Sequence, residues 1–188
     1  SLWLGLHAWL GLRLAEASGV AFGPLFGAAV FLGTSYLLGR VAALRLPRLG
    51  VVLTWIGAVW MGFFCITVSV FAVHDLVLRL PLALAEALGL VDAARSAQIL
   101  GASQLGAAGL ALGASAWALV RGLGGPRLRE ERLALEGLPE AALGLRIAHG
   151  SDVHVGETIG PAYLARIARR VREARAELVV LTGDLSDE

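Results

Sequence analysis

The sequence predicts an α-helical transmembrane anchor of three to four spans followed by the opening βαβ unit of an α/β sandwich. Three observations predict it. The 188-residue chain is 57% hydrophobic and only 16% charged, well to the apolar side of a soluble domain. Its apolar residues gather in runs long enough to cross a bilayer, which takes roughly 20 residues. Beyond Gly122 the composition changes abruptly and charge becomes frequent.

The clear spans run from about Pro24 to Leu44, Val51 to Val73 and Ile99 to Val120, with no charge inside them until Arg40. The segment from Leu2 to Val20 is apolar but carries His7, Arg13 and Glu16. It reads as a fourth, truncated span, or as an interfacial helix with Arg13 and Glu16 on one face. With no Met before Ser1 and an abrupt finish at Glu188, the chain reads as a piece of a longer protein. Leu80 to Asp92 reads as an interfacial loop or short helix. His7, His74 and Asp75 are expected at membrane boundaries. Gly101, Gly106, Gly109 and Gly113 suit close helix approach in lipid. The spans are expected to carry no buried acidic or basic residue that would mark an ion path.

The basic residues are all arginine, and their placement sets orientation. Arg40, Arg45, Arg48, Arg121, Arg127, Arg129 and Arg132 make seven on one side; Arg13, Arg79 and Arg95 make three on the other. The expectation is a multi-pass protein of the cell membrane with its C-terminal region in the cytoplasm. A net charge of +1 argues against a nucleic-acid partner. The lone Cys65 excludes disulfides and cysteine metal sites, and nothing predicts a protein partner.

The organisation expected is a membrane region over 1–121, a Gly/Pro linker over 122–126 and an α/β domain from 127 to 188. Arg129 to Leu138 alternates enough to suggest an edge strand, and Leu143 to Gly150 reads as a second strand. Pro161 to Ala176 is an amphipathic helix with Pro161 in its first turn and Leu164, Ile167, Ala168 and Val171 at helical spacing. Its other face carries Arg166, Arg169, Arg170, Arg172 and Arg175, ordinarily a solvated face. Leu178 to Thr182 reads as a buried strand, so strand, helix and strand make a parallel βαβ unit. With open strand edges it is expected to be marginally ordered in isolation.

Two motifs follow these strands: Ser151-Asp152-Val153-His154-Val155-Gly156 and Leu181-Thr182-Gly183-Asp184-Leu185-Ser186-Asp187. Ligands of open α/β sheets bind at the carboxyl ends of strands, so Asp152 and Asp184 should lie side by side there. In an extended segment Asp152 and His154 would point to one side, and carboxylates with an imidazole suit divalent transition metals. His149 reads as structural, and Glu157 and Thr158 lie where a substrate could touch.

These two blocks resemble the calcineurin-like metallophosphoesterases, particularly their bacterial membrane-anchored branch. The resemblance covers Leu145 to Asp187, about a quarter of the chain. It implies a hydrolase of phosphomonoesters or phosphodiesters using two divalent ions (Mn, Fe or Zn), with a water activated between them. By the same resemblance Asp152 and His154 bind one metal, Asp184 bridges both, and Asp187 supports from outside. A lipid-linked phosphate ester is the substrate suggested by proximity to the bilayer. The family's Gly-Asn-His motif, which carries the general acid, is absent, because the chain contains no asparagine. These 188 residues alone are therefore expected to be inactive, which a phosphatase assay would overturn if they matched the full protein. The alternative is a non-enzymatic polytopic membrane protein whose α/β tail binds a ligand.

Overall fold

The computed structural model describes residues 2–156 and 159–186. The chain divides into two compact units, Ser1–Val120 and Arg121–Glu188. The first is wholly helical: α1 (Leu2–Ser18), α2 (Phe22–Ala43), α3 (Pro47–His74), a π-turn (Asp75–Arg79), α4 (Leu80–Ala87) and α5 (Ala93–Leu123).

Three helical stretches among the described residues are long and apolar enough to cross a membrane: Phe22–Ala43, Pro47–Ala87 and Ala93–Leu123. At 17 residues, α1 is not among them, so three candidate spans are found among the described residues, within the three to four expected from sequence. Pro47 opens α3 in its first turn, where a missing N–H costs nothing. Of the loop or short helix expected over Leu80–Asp92, a short helix forms, α4, continuing the run of α3. Pro81 cannot donate to a carbonyl one turn back, and the π-turn just before it widens the ladder so that the helix carries on. Gly89, at φ +71°, ends this run, and Asp92 caps the next helix, its Oδ1 accepting the Arg95 N–H at 2.8 Å.

Packing between α2 and α3 relies on small residues. A Cβ on Gly39 would lie 2.5 Å from the Thr54 nitrogen, and one on Gly50 2.6 Å from the Ala43 Cα. Gly57 fits equally closely against the backbone of Tyr36. The glycines expected to do this work, Gly101, Gly106, Gly109 and Gly113, have nothing within 4 Å of a built Cβ. Frequency of glycine did not select the interface; apposition to a neighbouring backbone did. Leu10, Phe71 and Ala107 form the buried apolar centre where α1, α3 and α5 meet.

The second unit is a short 3-10 turn (Glu140–Ala142), then β1 (Ile147–Ser151), α6 (Pro161–Ala174) and β2 (Leu178–Thr182). The two strands pair in parallel, from Ile147 opposite Leu178 to Ser151 opposite Thr182. The predicted strand over Arg129–Leu138 does not form: the segment is irregular and turns at Gly137, whose φ is +79°. A further turn at Gly144, φ +82°, delays β1 by four residues relative to the predicted start. α6 ends two residues early, where Arg175 takes a left-handed cap conformation and Arg146 donates to the Ala174 carbonyl at 3.3 Å.

Candidate functional site

The parallel register brings the two motif-bearing segments together beyond the carboxyl ends of β1 and β2. Pairing continues past the strands. The Asp152 N–H donates to the Thr182 carbonyl at 3.1 Å, the His154 N–H to Asp184 at 3.1 Å and the Val155 N–H to Leu185 at 2.9 Å. A bridge between Val155 and Ser186 closes the run.

The side chains follow from this frame. Asp152 Oδ1 accepts the backbone N–H of Asp184 at 3.3 Å, so the first motif's carboxylate rests on the second motif's turn. That turn depends on Gly183. Its φ is +73°, and a Cβ there would collide with the Asp152 carboxylate, lying 2.8 Å from its Cγ. The Asp184 carboxylate makes no hydrogen bond or ion pair among the described residues, whereas His154 does have an interaction partner. His149 and Thr182 cross-link the strands just below, Nε2 to Oγ1 at 2.7 Å.

The extended geometry expected for Asp152 and His154 is not what forms. β1 ends at Ser151, and both residues take left-handed backbone conformations, φ +52° and +49°. Period-two alternation therefore does not set their directions; a pair of strained, non-glycine turns does. Strain of this kind concentrates at functional sites. Among the described residues no three His, Cys, Asp or Glu side chains are grouped closely enough to hold a metal. Asp187, Glu157 and Thr158 lie outside the described residues. The donor set still suits a divalent ion by its chemistry, two carboxylates and an imidazole on adjacent loops, with one carboxylate uncommitted.

A second polar centre was not expected. In the helical unit the Arg13 Nη2 reaches Asp75 Oδ2 at 2.7 Å and its Nη1 reaches Glu16 at 3.1 Å. Arg79 bridges the same two carboxylates, at 2.5 Å to Glu16 and 3.1 Å to Asp75. Gln104 of α5 donates to Glu16 at 2.7 Å, and His74 lies 3.3 Å from Asp75 and 2.9 Å from Ser103. Charge is thus present among the helices, where none was expected. The sequence signal was Asp75 and Arg79 at i,i+4 inside an apolar run, which serves to face Arg13 and Glu16 on another helix. His7, expected at a boundary, is fully buried; it stacks on Phe64 with ring centroids 4.2 Å apart and its Nδ1 meets the Trp3 carbonyl at 2.9 Å.

No family model matches the chain, and no solved structure matches it. Over 71 residues the chain is 38% identical to a protein of Danio rerio named "Transmembrane protein with metallophosphoesterase domain", a match covering 38% of this chain and 16% of that relative. The chain thus spans about a sixth of that relative's length, and it is a membrane-type helical protein similar in part to one that carries a metallophosphoesterase domain.

Proposed function

We propose that the protein is a membrane-anchored, metal-dependent phosphoesterase whose ions are held at the tips of β1 and β2. The observation that carries this reading is the contact of the two motifs, the Asp184 N–H on the Asp152 carboxylate at 3.3 Å. It puts both candidate carboxylates on neighbouring loops at the sheet edge where α/β proteins bind ligands. The name of the similar fish protein supports the same class.

Asp152 and His154 would hold one ion, and Asp184 would join it to a second; Mn, Fe and Zn all fit such donors. When bound, such ions lower the pKa of a water and neutralise charge on the phosphate. The chain's own part is positional. Gly183 leaves room for the Asp152 carboxylate, the left-handed turns fix the backbone on either side of Val153, and the His149–Thr182 bond holds the strands beneath. We take the substrate to be a phosphate ester, a lipid-linked one being the natural choice beside a bilayer, and the domain to lie in the cytoplasm.

A second reading, a non-enzymatic membrane protein with a ligand-binding tail, gains from one observation: the cluster of Arg13, Glu16, Asp75 and Arg79 among the helices. Metal analysis of the intact purified protein separates the two. Near two ions per chain, together with manganese-dependent hydrolysis of bis-p-nitrophenyl phosphate, is expected. Asp184→Ala should remove the metal and lower activity by more than about 100-fold, since even residues behind metal ligands cost 10–100-fold. A metal-free intact protein, or undiminished hydrolysis by Asp184→Ala, would falsify the enzyme reading.

A further inference from the structure

We propose that the arginine face of α6 docks on the anionic headgroup surface of the bilayer. This inference stands apart from the hydrolase reading and needs only that α5 cross the membrane.

The first support is chain reach. α5 ends at Leu123, and Gly125 follows two residues later, so Gly125 lies at most about 7 Å from the end of that helix. The second is packing within the C-terminal unit. Gly125, with φ +85°, sits directly against Arg166 of α6; a Cβ there would lie 3.2 Å from the Arg166 Nε. That Nε is buried and has no hydrogen-bond partner among the described residues, and its guanidinium lies over the Tyr163 ring at 5.1 Å. The helix is therefore packed on a residue that follows the end of α5 by two positions in the chain. A glycine is needed at Gly125 both for its backbone conformation and for this approach.

The third support is charge. Residues 161–175 carry five arginines and a single acidic residue, Glu173. Glu173 pairs with Arg170 at 2.7 Å and more loosely with Arg169 at 3.9 Å. Arg169, Arg170 and Arg172 are exposed, on the side of the helix away from Leu164, Ile167 and Val171. The intervening segment 127–140 has three arginines against four glutamates, so the basic character is confined to α6. An ordinary solvated helix mixes both signs. A face with five arginines to one glutamate, following a span closely in the chain, matches a surface of lipid phosphates, to which guanidinium groups bind strongly.

The test uses the intact protein with Cys65→Ser and Arg169→Cys, labelled with a fluorophore at residue 169. It is reconstituted in nanodiscs of phosphatidylcholine alone or with one third phosphatidylglycerol, each containing a headgroup-linked quencher. Quenching should rise in the anionic discs and fall as salt is raised. Adding Arg170→Gln and Arg172→Gln should weaken docking roughly 30-fold. Equal quenching in both lipids, or no effect of the arginine substitutions, overturns the proposal. If inorganic phosphate releases the label while chloride at the same ionic strength does not, the face binds soluble phosphate and the bilayer assignment fails.

Discussion

The two polar centres of this molecule are built on opposite terms. Among the helices, Arg13, Glu16, Asp75 and Arg79 satisfy one another, with Gln104, His74 and Ser103 filling further positions. At the strand tips, the Asp184 carboxylate is left without a hydrogen bond or ion pair among the described residues, and Asp152 is engaged chiefly by one backbone N–H. The difference follows from solvent. Charges among apolar helices must be neutralised by the protein itself, because desolvation costs several kcal/mol per ion. Charges at an exposed loop can stay uncommitted, which is what a ligand requires. Saturation fits the first centre to fastening helices together, and the uncommitted carboxylate of the second is what the proposed binding site needs.

Three substitutions sharpen that contrast. The largest effect on function is expected from Gly183→Ala. It imposes a side chain at φ +73° and drives the Asp152 carboxylate from its place. Metal content and hydrolysis by the intact protein should fall at least about 10-fold, while stability should fall by only about 1–2 kcal/mol, the cost of an L residue in the left-handed region. A large loss of stability with metal binding intact would reverse the assignment of the open site.

Asp75→Asn tests the closed centre. Removing one charge leaves Arg13 and Arg79 sharing only Glu16, and about 3 kcal/mol of stability should be lost, as for other interrupted low-exposure pairs. Unfolding in mixed micelles measures this. Glu16→Gln should cost less, because that side chain is 40% exposed against 18% for Asp75. Equal small effects from both would mean that water, not pairing, solvates the cluster.

The smallest effects come from a glycine pair. Gly39→Ala places a methyl 2.5 Å from the Thr54 nitrogen and should cost about 1–3 kcal/mol by forcing α2 from α3. Gly109→Ala meets nothing and should instead stabilise by up to about 1 kcal/mol through helix propensity. If both substitutions act alike, the small-residue interface between α2 and α3 is misassigned.

Much of the fold was legible beforehand. The three spans were visible because crossing a bilayer demands a length of apolar sequence, a local property. The parallel βαβ unit was visible because α6 has an apolar stripe at helical spacing and β2 a short unbroken apolar run; β2 falls on Leu178–Thr182 as expected, but Leu178, Val179 and Leu181 are exposed rather than buried, because the two-stranded sheet of the described residues gives them nothing to pack under. The strand expected over Arg129–Leu138 failed for lack of a pairing partner among the described residues, since two alternating leucines do not make a strand without one. The candidate site was legible as two motifs following two strands. Its backbone was not, because left-handed conformations at Asp152 and His154 are imposed by pairing with the Thr182–Leu185 segment and leave no trace in residue spacing.

By itself, then, the sequence determined which segments are apolar enough for a membrane, where charge resumes and which chemical groups follow each strand, since all of these are written along the chain. Tertiary structure alone decided which glycines lie at an interface, that Arg13 and Glu16 meet Asp75 and Arg79 some sixty residues away, and that Gly125 packs against Arg166. Each of those depends on what a residue faces across space, and a backbone or an opposite charge brought near by packing has no signature in the neighbouring letters.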